Sequence, residues 1–334
     1  MKKILILLLI TIIFTSCNLS VKRSPYKINL MTVGLDYKNS SNINSLYGTI
    51  NDAKEIEKAF RLISERNEVN FSSYNYIQEG DSYAESTINN LYYPKKSNIL
   101  NAFDNLELAS DENTITILYY SGHSNNKGSF LLATTNKDNG ESLINNNNIK
   151  DSQLLSVDEI YNSIKDIKGK KVIISDSCYS GNFYKNSVYT LNEEILTFEN
   201  AFNKLFSKGS EAPNTYILSA TESNNTAHEP SFNVGNRQHG YFTKALLEGL
   251  GWCDGKKGEL SNNIIPSLRD EKGIQGILSK GKPPAINNNI LSIDSLLKYI
   301  KENQEINLIS DSYLISHQYP CISSWRSDLV LYIY

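Results

Sequence analysis

Ile115-Thr-Ile-Leu-Tyr-Tyr-Ser-Gly-His123 and Lys171-Val-Ile-Ile-Ser-Asp-Ser-Cys178 are the two stretches whose reading decides the fold. Each opens as an apolar, β-branched run and stops in small polar residues. Such runs, apolar without alternation, mark strands buried on both faces. Outward from them, strands and helices alternate. Lys27–Leu35 reads as a strand. Asp52–Glu65 has helical spacing, with Ile56, Ala59, Phe60 and Ile63 on one face. Phe71–Ile77 alternates aromatic and polar residues, as a strand does. Ser97 is the expected N-cap of a helix running to about Ala109. Ser156 and Glu159 have the spacing of a capping box, opening a helix that ends near Ile167. Thr215–Ala220 predicts a strand, Phe242–Gly251 a helix and Asp328–Tyr332 a last strand. The alternation predicts an α/β fold, a mostly parallel central sheet with helices on both faces. In such sheets reactive groups gather just past the carboxyl ends of the strands.

Both decisive strands deliver a reactive side chain at that edge, His123 from one and Cys178 from the other. If the strands are neighbours, an imidazole and a thiol meet there. A thiolate is the reactive form of cysteine, and a nearby histidine lowers the thiol pKa or takes its proton. Gly122 and Gly181 permit tight turns beside them. The other histidines, His228, His239 and His317, lie in irregular or Asn-rich contexts without this setting. No GxSxG occurs, which argues against a serine hydrolase of that type.

The rest of the 334 residues is ordinary for a globular protein, with 40% hydrophobic residues, 21% charged residues and a net charge of −3. No block of Lys and Arg forms a basic patch, so no nucleic-acid partner is expected. The N-terminus reads as a targeting segment. Lys2 and Lys3 precede an unbroken apolar run from Ile4 to Phe14, then Thr15-Ser16-Cys17. That run is too short for the ~20 residues of a membrane span and fits a secretory signal. Cys17 stands where a bacterial lipobox carries its lipidated cysteine. The alternative is an ordinary cleaved signal with a fortuitous cysteine. The expected organisation is a signal peptide over 1–16, a tether over 17–25 and one domain over 26–334, with 255–289 a surface insertion. The expected location is the cell envelope, anchored to a membrane by lipid at Cys17. Cys253 and Cys321 are left either as a disulfide or as buried small hydrophobes. No CxxC or His/Cys cluster has zinc spacing, so no structural metal is expected.

The segments Tyr119-Tyr-Ser-Gly-His-Ser124 and Asp176-Ser-Cys-Tyr-Ser-Gly181 resemble the His and Cys motifs of the caspase-like cysteine peptidases, metacaspases and their bacterial relatives above all. The separation, 178 − 123 = 55 residues, is similar to the ~50 residues between these motifs in caspases. The likeness extends through Leu46–Ala53, Leu155–Ile160, Ile217–Ala220 and Gly240–Gly249, from about Lys27 to Leu250. It implies a caspase-like three-layer sandwich and peptide-bond hydrolysis of protein or peptide substrates by a monomer. Cys178 would be the nucleophile and His123 the general acid/base. Backbone N–H groups of Cys178 and Ser124 would form the oxyanion hole, with Ser124 at a position where the family carries Gly. Where caspases place an arginine this chain has Leu46, and where they place Gln before the cysteine it has Asp176. Metacaspases instead resemble it in carboxylates at the positions of Asp52 and Asp176, which implies an acidic S1 pocket and cleavage after Arg or Lys. Asp52 also has a plainer reading, as a cap of the helix that starts there. The calcium site of many metacaspases would fall near Asp138, Leu154, Leu155 and Lys185, of which only the first is acidic. A hard cation needs several oxygen ligands, so no cofactor is expected and calcium activation is not favoured. The competing function is a catalytically silent caspase-homology scaffold on the envelope. Such relatives typically lack the His or the Cys.

Overall fold

The computed structural model describes residues 26–38, 43–78, 91–125, 127–133, 151–177, 214–220, 227, 229, 239–253, 269–270, 273–274, 277–278, 281–303, 320–322 and 329–334. Strands β1 (Lys27–Leu35), β2 (Asn70–Gln78), β3 (Thr114–Gly122), β6 (Lys170–Ser177) and β7 (Thr215–Ser219) form a parallel sheet. They lie in the order β2-β1-β3-β6-β7, and β13 (Cys321–Ile322) adds to β7 antiparallel. The expected mostly parallel sheet is therefore present, with one antiparallel edge strand.

Side chains alternate across the sheet with the period of two that a strand imposes. Ile28, Leu30, Ile117, Tyr119, Val172, Ile174 and Leu218 face one layer. Met31, Val33, Leu118, Tyr120, Ile173 and Ile217 face the other. The first layer is covered by α1 (Thr49–Arg66), α4 (Tyr241–Gly249) and α5 (Ile293–Asn303), the second by α2 (Lys96–Ala109) and α3 (Val157–Ile164). Successive crossovers from β1 to β2 and from β2 to β3 thus run on opposite faces. The chain reverses its direction of travel between β1 and β3. That reversal opens a crevice at the carboxyl edge, the usual binding place of open α/β sheets.

The helices form for local reasons with two corrections to the sequence reading. α1 buries Ala53, Ile56, Ala59, Phe60 and Ile63 along one stripe, as a 3.6-residue period requires. It begins at Thr49 with Gly48 as N-cap, so Asp52 lies inside the first turn and is not the cap. α2 begins at Lys96 with Lys95 as N-cap and no side-chain cap bond. Ser97 therefore does not cap it, and the neighbouring Asn98 side chain instead donates to the Tyr93 carbonyl at 2.9 Å. α3 carries the expected capping box: Ser156 Oγ accepts from Glu159 N, and the Glu159 carboxylate accepts from Ser156 N.

Small strands complete the molecule. β4 (Phe130–Leu131) pairs with β5 (Leu154–Leu155), and β8 (Trp252–Cys253) pairs with β11 (Ile277–Leu278). Between the latter two lie β9 (Arg269–Asp270) and β10 (Gly273–Ile274). β12 (Ile290–Ser292) pairs with β14 (Val330–Ile333). Leu278 and Ala285, within the stretch expected as a surface insertion, are buried in the core. Cys253 and Cys321 stand in different sheets. Residues 1–25, including Cys17, lie outside the described residues. Among the described residues no helix is long and apolar enough to cross a membrane.

Candidate active site

β3 and β6 are adjacent and parallel, and their register sets Ser121 opposite Asp176 and Gly122 opposite Ser177. His123 leaves β3 at this edge. The chain beyond Ser177 continues to Cys178, the first of the residues outside those described. The condition attached to the sequence reading, that the two strands be neighbours, is met.

His123 is 4% exposed, and its setting is built from β1, β3 and β4. Its backbone N–H donates to the Tyr37 hydroxyl at 3.1 Å, and its carbonyl accepts from Tyr120 Oη at 2.5 Å and Leu131 N at 2.9 Å. The Tyr37 ring lies against the imidazole with centroids 4.7 Å apart, and Tyr120 stacks on Phe130 at 3.9 Å. Both hydroxyls crowd the backbone at Gly122. A Cβ there would stand 2.6 Å from Tyr120 Oη and 2.8 Å from Tyr37 Oη, so a side chain would displace the pair that holds the histidine. His123 Nε2 lies 2.8 Å from the carbonyl oxygen of Asn44. A carbonyl only accepts, so Nε2 carries the proton and Nδ1 the lone pair. Burial pulls the imidazole pKa down to about 4, against a smaller upward push from the Asn44 carbonyl. The ring is therefore a neutral base at neutral pH. Ser124 is buried and is not among the described residues with positive φ, so its Cβ costs no backbone strain where the family carries Gly.

On the other face of the same strand ends lies a cluster of buried carboxylates. Asp52, from α1, is 1% exposed. Its Oδ2 accepts from Ser121 Oγ at 2.9 Å; its Oδ1 faces His239 Nδ1 at 2.8 Å and Gly240 N at 3.3 Å. None of these partners is a helix amide of α1, so the cap reading of Asp52 does not apply. Asp176, on β6, accepts at Oδ2 from Thr243 N at 3.2 Å and Thr243 Oγ1 at 2.5 Å. The Thr243 hydroxyl, having given its proton to Asp176, accepts from Tyr119 Oη at 2.6 Å. Gly240 passes so close to Asp176 that an added Cβ would collide with its carboxylate. Glu229 joins them, its oxygens accepting from Tyr47 N at 2.9 Å and Gly48 N at 2.8 Å.

Burial raises the pKa values of all three acids, and repulsion from Asp52 adds to it at Asp176 and Glu229. Asp176 is pushed up to about 7, by desolvation and then by Asp52. Glu229 also reaches about 7, by desolvation offset in part by the Gly48 and Tyr47 amides. Asp52 is raised by desolvation although His239, Ser121 and Gly240 all oppose it. His239 and Glu229 were not singled out in the sequence. His239 stands 187 residues from Asp52 and Glu229 182 from Tyr47. The one local signal was the His239-Gly240 pair at the start of a helix. His228 and His317 lie outside the described residues.

A Caspase domain family model matches residues 32–330. The chain belongs to the caspase domain family. Its sheet order and helix placement accord with that membership, and the family is one of cysteine peptidases. Among solved structures the chain is similar to caspase-1 from Spodoptera frugiperda, at 11% identity and a TM-score of 0.44, over 91% of this chain and 90% of that one. It is also similar to a structural-genomics protein from Geobacter sulfurreducens, at 16% identity and a TM-score of 0.36, over 66% of this chain and 80% of that one. No curated protein matches. The calcium site that the metacaspase resemblance implies does not fit the described residues. Leu154 and Leu155 form β5 and bring no side-chain oxygen, while Asp138 and Lys185 lie outside the described residues.

Proposed function

We propose that this caspase-domain chain is a cysteine endopeptidase that cleaves after Arg or Lys, with Cys178 as nucleophile and His123 as general acid/base. The observation that carries the reading is the edge shared by β3 and β6. A buried neutral histidine leaves one strand there, and the strand leading to Cys178 is its hydrogen-bonded neighbour. In the mechanism His123 takes the thiol proton and the Cys178 sulfur attacks the scissile carbonyl carbon. The oxyanion is held by the N–H groups of Ser124 and Cys178. The C–N bond breaks as His123 returns the proton to the leaving amine, and water, activated by the same imidazole, hydrolyses the thioester.

The specificity rests on Asp52 and Asp176 on the same strand-end edge, with Glu229 close enough to raise Asp176 and to be raised by Asp52. Buried carboxylates attract a guanidinium or ammonium and repel an Asp side chain. The envelope location and the lipid on Cys17 belong to the same proposal and rest on the N-terminal sequence alone. The test is a peptide-library profile with protein lacking residues 1–17, together with labelling of Cys178 by an electrophilic peptide probe. Cleavage after Arg or Lys with labelling is expected. Preference for Asp, or indifference to charge at that position, overturns the specificity. An intact His–Cys pair that neither labels nor cleaves means a scaffold instead.

A further inference from the structure

His239 sits among the carboxylates at this edge, and the peptidase mechanism above does not use it. Its side chain is 10% exposed, and both ring nitrogens face acids. Nδ1 lies 2.8 Å from Asp52 Oδ1 and Nε2 3.3 Å from Glu55 Oε2. Ionised carboxylates only accept hydrogen bonds, so an imidazole that serves both must carry a proton on each nitrogen. Glu55 is held in turn by Trp252 Nε1, which donates to the same Oε2 at 2.5 Å. The ring is thus fixed between two residues of α1 that lie one helical turn apart.

We propose that His239 is a positioning residue of the S1 pocket, an internal cation that balances the buried charge of Asp52 and aims its second oxygen at the strand edge. The proposal rests on the Arg/Lys reading above. With Oδ1 taken by His239 Nδ1 and Gly240 N straddling both oxygens, Asp52 turns Oδ2 toward Ser121 on β3, beside Asp176 on β6. A carboxylate buried to this degree keeps its charge only when paired.

The groups facing this pair from the packed elements are Asp52 and Glu55 on α1, Tyr119 on β3, Asp176 on β6 and Glu229 from the segment before α4. Lys38, after β1, acts on Glu229. Two of these carboxylates, Asp52 and Glu55, face the imidazole itself. Burial pulls the His239 pKa down, but hydrogen bonds and charge from Asp52 and Glu55 outweigh it and raise the value to about 10. Without the imidazolium, the desolvation that raises the Asp52 pKa loses its main opponent, and the carboxyl shifts further toward its protonated form. The substrate cation then loses one of its two partners while Cys178 and His123 are untouched.

The experiment compares wild type, His239→Gln and His239→Lys on matched peptides with Arg or an uncharged residue at the cleaved position, between pH 6 and 9. For the Gln variant KM on the Arg peptide is expected to rise about tenfold at pH 7, with kcat held within about twofold. That KM should fall again as pH rises and Asp52 re-ionises, in addition to the fall near pH 7 that both proteins share as Asp176 ionises. His239→Lys, which keeps a cation, should recover most of the loss. If His239→Lys behaves like His239→Gln, charge is not what the residue supplies and the proposal fails. If wild type prefers Arg but His239→Gln leaves KM and its pH profile unchanged, this proposal alone fails. If wild type shows no preference for a cation, the Arg/Lys reading fails and takes this one with it. A measurement on the unsubstituted ring guards against misfolded variants: NMR of His239 in Cys178→Ala protein should show imidazolium from pH 5 to 8. A neutral ring at pH 8 overturns the proposal.

Discussion

Asp176→Asn should make the protein more stable at alkaline pH while it destroys activity. Asp176 is 6% exposed and sits beside Asp52. Its pKa rises from the ordinary 3.8 to about 7, first through desolvation and then through Asp52. The sign follows from proton linkage. Between these two values the folded state holds a proton that the unfolded state has lost, so stability falls as pH rises across the window. Above about 7 both states are ionised and the loss is constant. The rise from 3.8 to about 7, at 1.36 kcal/mol for each tenfold change, sets a ceiling of about 4 kcal/mol on that loss. Asn is nearly isosteric, keeps an oxygen to accept from Thr243 N, and carries no charge. The gap in unfolding free energy between Asp176→Asn and its parent should therefore widen from pH 4 to pH 8, by up to about 4 kcal/mol. Urea titrations of both proteins at the two pH values, in a Cys178→Ala background without the proposed nucleophile, measure it. In the active background the same substitution should lower kcat/KM on Arg and Lys peptides by about a hundredfold or more, the loss of one buried charge partner. A gap equal at pH 4 and pH 8 would refute the reasoning, because an ionised Asp176 would then cost the fold nothing.

Cys178→Ala should abolish peptide hydrolysis and His123→Ala should lower it by orders of magnitude, with circular dichroism showing that both fold. Because burial holds the His123 pKa near 4, the acid limb of kcat/KM on a peptide uncharged at the cleaved position should fall near pH 4, well below the 6.5 of an ordinary histidine; a limb near 6.5 counts against a buried neutral base. Mass spectrometry of the protein from its native membrane should find Cys17 lipidated and residues 1–16 removed; an unmodified Cys17 or a cleavage elsewhere overturns the anchor. Activity should be the same in chelator and in millimolar calcium, and activity lost to chelator and restored by calcium would reverse that expectation.

What the sequence made legible, and what it hid, divide along physical lines. Strands buried on both faces announce themselves by composition, so β3 and β6 and the His123 that ends one of them were readable from apolar runs alone. Their adjacency was only a condition in the sequence, because strand order depends on which crossovers pack on which face. The capping box of α3 was readable because both of its bonds close within residues 156 to 159. The starts of α1 and α2 were misread because Asp52 and Ser97 are good capping residues whose helices had already begun upstream. At Asp52 the misreading had a chemical cause: the carboxylate is drawn toward Ser121, His239 and Gly240 on other elements. The part least legible is the charge of the site. A histidine is neutral or cationic according to its partners, and those of His123 and His239 are opposite in kind. One ring lies in an apolar and aromatic shell against a backbone carbonyl and is neutral. The other lies between two carboxylates brought from 187 and 184 positions away and is charged. Residue type and spacing are the same before folding, so the base and the internal cation become distinguishable only when the segment before α4 closes over the first turn of α1.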